Sequence, residues 1–362
     1  MQAVVRAPTV ALPAAAEPRP LPPAGVDPAP VLAAPVATGG TVADVLARHH
    51  AVNLVVLHRG RLAVDWARPG ADPAGRHVCY SVTKSFTGTL AALAVAEGVL
   101  DRAAPVADLV PELATAGLGD ATVGEVADMT ASIAYGEDYL DAAAGPSPGP
   151  PYGFGDYIAA LEGAPGAPGG LRGLLGRAGH GPRPHGEAFG YATPLTDALG
   201  WMVERVRGRP YPDLLGDALW AHVGAEGDAA LGLAADGTPM LGIGLAMTTR
   251  DLARAGLVWA EARHVPGAVV ESMRAGDPAT FARGGRYDYL SGYAYRDQWW
   301  LPGGPQRPLS AWGIYGQLLW VEPDAGLVVA LHSDGPRASD RARDLDHDAL
   351  ARAVSALASG WG

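Results

Sequence analysis

The stretch CYSVTKSFTG, residues 79–88, puts Ser81 and Lys84 three residues apart at the head of an apolar run. Phe86, Leu90, Leu93 and Ala94 fall on one stripe, which predicts a helix over 82–97, and Gly98 ends it. Side chains at i and i+3 share a helix face. A serine at a helix N-terminus lies among free backbone N–H groups and at the positive end of the dipole. There it can attack a carbonyl while those N–H groups steady the oxyanion. Lys84 can take the serine proton only when neutral. Its reference pKa is about 10.4, so burial or a like charge must lower it by a few units, at about 1.4 kcal/mol each. No acid lies beside Lys84 in the sequence to hold it charged. Serine is also a favoured N-cap and lysine a common helix residue, so the pair alone fits plain helix chemistry too.

Working outward, TVADVLARHH (41–50) predicts a short helix capped by Thr41, and 53–67 predicts two strands around a turn at 58–60. TDALGWMVERVRG (196–208) and TTRDLARAGLVWAEA (248–262) have helical spacing. SGYAYRDQWW (291–300), SAWGIYGQLLWVE (310–322) and GLVVALHSD (326–334) read as three antiparallel strands, and 343–359 as a closing helix. Strands thus lie at both ends. The predicted fold is α/β (an α+β sandwich): an antiparallel sheet from both chain ends, flanked by helices, with an inserted, mostly helical domain. The expected division is an extended Pro/Ala-rich arm at 1–38, loose or draped over the body, an α/β domain from 39–105 and 241–362, and a helical insertion at 106–240. Residues 141–186 read as a long Gly/Pro-rich connection.

The 362 residues allow a large core and two structural units. With 48% hydrophobic and 18% charged residues the chain is too apolar for disorder. A net charge of −11 argues against nucleic acid or an anionic membrane as partner. One cysteine, Cys79, rules out an intrachain disulfide and fits a cytoplasmic setting. No apolar run reaches 18 residues, so no membrane span is expected.

Ordered stretches across 40–357 resemble one family: VLHRG (56–60), SVTKSFTGTLAALAVAEGVLD (81–101), DMTASIAYGEDYLD (128–141), FGYATPLTDALGWMVERVRGRP (189–210), TTRDLARAGLV (248–258) and GIYGQLLWVEP (313–323). They look like the serine β-lactamase and penicillin-binding superfamily. Within it they resemble the class C-like branch of family VIII esterases, D-aminopeptidase-like enzymes and 6-aminohexanoate-dimer hydrolases. The resemblance implies Ser81 as nucleophile, with Lys84 and Tyr191 moving protons. Tyr191-Ala192-Thr193 stands where the family has Tyr-x-Asn or Tyr-x-Ser, and Tyr191 would act as phenolate or as a hydroxyl linked to Lys84. Tyr135-Gly136-Glu137 is the rival placement and lacks the third residue. Ile314-Tyr315-Gly316 stands where a β-lactamase has Lys-Thr-Gly, so little β-lactam turnover is expected. Gly316 would let the strand approach the substrate, and the N–H groups of Ser81 and Gln317 would form the oxyanion hole. Glu137, Asp138 and Tyr139 fall on the substrate side in the resemblance, or form a solvated acidic loop.

The expected function is a serine hydrolase that cleaves a small-molecule amide or ester through an acyl-enzyme, with no cofactor or metal. An acyltransferase and a non-catalytic penicillin-recognition protein are the rivals, and a homodimer is allowed for. Gly145-Pro146-Ser147-Pro148-Gly149 matches the G-x-S-x-G elbow in letters only, because prolines flank the serine. The ten histidines show no ligand spacing. Trp299-Trp300 and Tyr287, Tyr289, Tyr293 and Tyr295 mark a packed sheet face or a cleft wall, with Trp300 or Trp312 shaping an acyl pocket.

Overall fold

The computed structural model describes residues 6–139, 146–167 and 169–361. Its strands in chain order are β1 (Thr9–Leu12), β2 (Ala51–His58), β3 (Arg61–Ala67), β4 (His77–Val78), β5 (Tyr135–Gly136), β6 (Tyr152–Gly153), β7 (Ala229–Gly232), β8 (Leu245–Met247), β9 (Ala294–Arg296), β10 (Trp299–Leu301), β11 (Leu309–Gly313), β12 (Gln317–Glu322) and β13 (Leu327–Ser333). Six helices position the site: α1 (Val42–Arg48), α2 (Val82–Ala96), α3 (Phe154–Glu162), α4 (Thr193–Arg207), α5 (Thr249–Ala260) and α6 (Arg341–Ala358).

Seven strands form one antiparallel sheet in the order β3-β2-β13-β12-β11-β10-β9. The two chain ends meet where β2 pairs with β13, Val56 opposite Val329. Every residue of β2, β12 and β13 is buried, because helices cover both faces. Side chains alternate between the faces. Val55, Leu57, Leu319 and Val328 pack with α2 and α5, while Leu54, Val56, Leu318 and Val329 pack with α1 and α6. The result is a helix–sheet–helix sandwich, as expected.

Helix α1 carries its expected Thr41 cap, completed by Asp44 as a capping box. Helix α2 is buried through its first thirteen residues, not along one stripe only. It runs between the sheet and the helical region, and Phe86 meets Trp259 edge-on at 5.3 Å. Burying one such ring contributes about 1.5–3 kcal/mol.

Three differences from the sequence reading have physical causes. The two longest predicted strands are each split by a turn. Asp297 and Gln298 both take positive φ, 47° and 64°, and fold 294–301 into a two-residue hairpin. Ile314-Tyr315-Gly316 does the same for 309–322, with φ of 65° at Tyr315 and 100° at Gly316. Only Gly316 is an ordinary turn signal. The second difference is a four-stranded sheet, β1-β7-β8-β4. The N-terminal arm supplies its edge: β1 pairs with β7, Trp220 donates to Pro13 O (2.8 Å), and Arg19 ion-pairs with Glu261. The arm lies draped, contributing a strand rather than trailing loose. Third, the 141–186 connection contains α3 and a helix at Gly170–Arg177, while 141–145 and 168 fall outside the described residues.

Candidate active site

Ser81 sits at the entry of α2, immediately after Tyr80, whose φ is 46°. An aromatic residue in the left-handed region costs roughly 1–3 kcal/mol, and such strain gathers at functional sites. Ser81 does not cap its helix with its side chain. The plain capping reading therefore fails, and the hydroxyl faces Lys84 instead. Lys84 Nζ donates to Ser81 Oγ at 3.1 Å and to Gly242 O at 2.9 Å. Lys84 is 1% exposed, so it is no surface lysine. Burial pulls its pKa down to about 8, against the opposing pull of Glu137 and then Asp197. The required shift is therefore present, but two acids distant in sequence moderate it.

Tyr191 reaches the site from the segment ahead of α4. Its hydroxyl faces Ser81, and Lys84 Nζ lies 5.2 Å above its ring. Burial, then Tyr287, pushes this hydroxyl well above its ordinary range, with Ser81 opposing. Burial thus favours the phenol over the phenolate. Tyr135, the rival tyrosine, pairs with Tyr152 in a short parallel bridge instead.

The sheet side is built by β11 and the hairpin after it. A side chain at Gly313 would meet Cys79 O at 2.4 Å, so the strand end lies directly on the backbone that leads into Ser81. Ser81, Trp312, Gly313 and Ile314 share one cleft with Tyr139, Tyr191, Tyr287, Trp300, Arg343 and Asp344. About 380 Å³ of space, part of it open solvent, lies between its walls. Tyr191, Trp300 and Trp312 stack in sequence, with ring centres 5.5 and 5.4 Å apart. Trp300 and Trp312 are thus wall residues, while Trp299 turns inward against Trp259.

Gln317 and Gly316 lie elsewhere than expected. The Gln317 amide clamps the hairpin, donating to Ile314 O (3.1 Å) and Ser333 O (2.9 Å). The missing side chain of Gly316 leaves room for Ser333 and Arg343, not for a cleft ligand. Tyr315 packs on Tyr80 with ring centres 5.3 Å apart, and its N–H goes to Ala338 O. Ile314 alone of that trio borders the cleft with Ser81. The three-residue loop shifts the register: the strand ends at Gly313, so the residue beside Ser81 comes earlier than the motif letters suggested.

Glu137 is 2% exposed and caps α4, accepting from Thr193 N (2.7 Å) and Thr193 Oγ1 (2.5 Å). It lines a cavity with Tyr135, Tyr191 and Arg286, and its burial excludes the solvated-loop reading. Thr193 is spent on this cap, whereas Tyr139 does line the cleft. Asp197, on α4, accepts from Tyr157 OH (2.9 Å) and Leu241 N (3.1 Å). The sequence reading missed Asp197 and Gly242. One signal was in plain view: among 27 lysine and arginine residues, Lys84 is the single lysine. Arginine serves wherever only charge is needed, but it cannot release a proton near neutral pH.

Ser147 Oγ and N both bond the Asp156 carboxylate, so the G-x-S-x-G serine is a loop anchor. Asp120, His180 and His185 come together in the fold, although their spacing gave no sign. Ser132 N–H donates to His185 Nδ1 (2.8 Å), which places the ring hydrogen on Nε2, facing Asp120 at 3.3 Å. That is a histidine–carboxylate hydrogen bond, a poor arrangement for a metal ligand.

This geometry has relatives. The β-lactamase family pattern matches residues 40–353. The chain belongs to the β-lactamase family. It is 33% identical over 296 residues to the 6-aminohexanoate-dimer hydrolase of Paenarthrobacter ureafaciens, covering 78% of this chain and 72% of that one. A candidate 6-aminohexanoate-dimer hydrolase from Bacillus anthracis shares the fold, with a TM-score of 0.81 at 20% identity over 97% of this chain and 90% of that one. A family VIII carboxylesterase has a TM-score of 0.60 at 17% identity, over 86% and 96%. The protein is a hydrolase of this family. No helix among the described residues is long and apolar enough to cross a membrane.

Proposed function

We propose that this β-lactamase family hydrolase cleaves linear amides and esters through an acyl-enzyme on Ser81. The carrying observation is the 3.1 Å contact from Lys84 Nζ to Ser81 Oγ, with the amine buried and poised near pH 8. Ser81 Oγ attacks the carbonyl carbon, and its proton passes to neutral Lys84. The oxyanion that forms takes hydrogen bonds from the N–H groups of Ser81 and Ile314. Ile314 replaces Gln317 as the strand donor because it borders the cleft. Tyr191 gives its hydroxyl proton to the leaving nitrogen or oxygen and regains one from Lys84. Water then repeats the sequence and frees the acid. Relatives named for an amide and an ester support both substrate classes. The aromatic walls suit an aliphatic or aromatic acyl chain, and the wall offers no lysine to greet a β-lactam carboxylate.

Intact-mass measurement across p-nitrophenyl esters, 6-aminohexanoate oligomers and nitrocefin tests this. An acyl adduct should appear in the wild type and vanish in Ser81→Ala, with turnover down about 10⁴-fold or more. Full turnover by Ser81→Ala would refute the reading. An added amine that captures the acyl group would show transfer by the same chemistry.

A further inference from the structure

We propose that Glu137 and Asp197 are paired positioning residues that set the proton affinity of Lys84 without touching substrate. This rests on the reading of Lys84 as the base. The two acids come from different elements, Glu137 from the segment after β5 and Asp197 from α4. Each is almost fully buried. Each carboxylate is hydrogen-bonded by neutral donors, and Arg286 lines a cavity with Glu137. Thr193 supplies both donors to Glu137. Tyr157 and Leu241 supply those to Asp197.

Asp197 also orients the base directly. The Leu241 N–H donates to its carboxylate, and the carbonyl of the next residue, Gly242, accepts from Lys84. A side chain at Gly242 would meet Thr193 Cγ2 at 2.8 Å and Lys84 Nζ at 3.4 Å, so only glycine fits between acid and amine. Among the described residues, the groups facing Lys84 include Ser81 Oγ, Gly242 O, the Tyr191 ring, Glu137 and Asp197.

The function of such a pair follows from two opposing effects. Burial alone would strip Lys84 of its proton and leave a weak base. The neighbouring carboxylates restore part of that basicity, and burial pushes Asp197 itself up to about 7, so acid and amine share protons near neutral pH. Because Lys84 is the only lysine, protein labelled with ¹³C,¹⁵N-lysine gives one side-chain signal, and its titration reads this amine together with the acid coupled to it.

The experiment titrates that signal in wild type, Glu137→Gln, Asp197→Asn and Tyr157→Phe, with kcat and KM measured across the same pH range. The wild-type midpoint should lie near 8. Each acid-to-amide variant should lower it by about one unit or more. Tyr157→Phe, a milder change that only removes a donor to Asp197, should lower it less. The rise of kcat with pH should move with the midpoint, and its plateau should fall while KM holds. An unmoved or raised midpoint in folded variants would overturn the proposal. The signal titrates whether or not Ser81 reacts, so this failure is separate from failure of the acyl-enzyme reading.

Discussion

Two walls meet at Ser81, and they are made of different materials. The sheet wall, from β11 and the hairpin after it, offers rings and backbone: Trp300, Trp312, Gly313 and Ile314. The helical wall, from α4 and the segments beside it, offers buried ionisable groups: Tyr191, Glu137 and Asp197 around Lys84. In the proposed reading, shape and oxyanion contact belong to one wall, and proton movement to the other. Helix α2, which carries Ser81, lies between, buried through its first thirteen residues.

Lys84→Arg breaks the helical wall most severely. It keeps the positive charge but removes the group that can be neutral, so turnover should fall about 10³-fold or more at every pH, in assays from pH 6 to 10. Gly313→Ala tests the opposite wall. The new methyl would press on Cys79 O, displacing the backbone beside Ser81 and lowering kcat about 10²-fold. The Lys84 signal should titrate as in wild type. A midpoint that moved with Gly313→Ala would show that the walls are not independent. Ser147→Ala belongs to neither wall. It should leave kcat and KM unchanged and cost about 1 kcal/mol in denaturant unfolding, through loss of the bond to Asp156.

The two walls were also unequally legible. The sandwich was readable because β2, β12 and β13 are continuous apolar runs and α2, α4 and α5 have helical spacing. Ser81, Lys84 and Tyr191 could be named from ordered motifs. The hairpins were not readable, since Asp297, Gln298 and Tyr315 adopt positive φ without the residues that usually announce it. In the proposed reading, that hidden turn is why the strand donor moves from Gln317 to Ile314. Asp197 was invisible for another reason. On α4 it looks like an ordinary polar helix position, and only the fold brings Leu241, Gly242 and Lys84 to it. Glu137 was noticed, but only the fold shows that it is buried and holds Thr193. Burial of charge is a tertiary property, and local sequence carries little of it.

The solitary lysine has a consequence beyond catalysis. Every other cationic Lys or Arg position is a guanidinium, which activated esters do not readily acylate. The exterior therefore gives escaping acyl groups no lysine to land on, and one copy cannot tag another through such a side chain. Amine-directed reagents have a single lysine target, at the floor of the cleft. Their rate of reaction there becomes a direct gauge of how far the cleft opens.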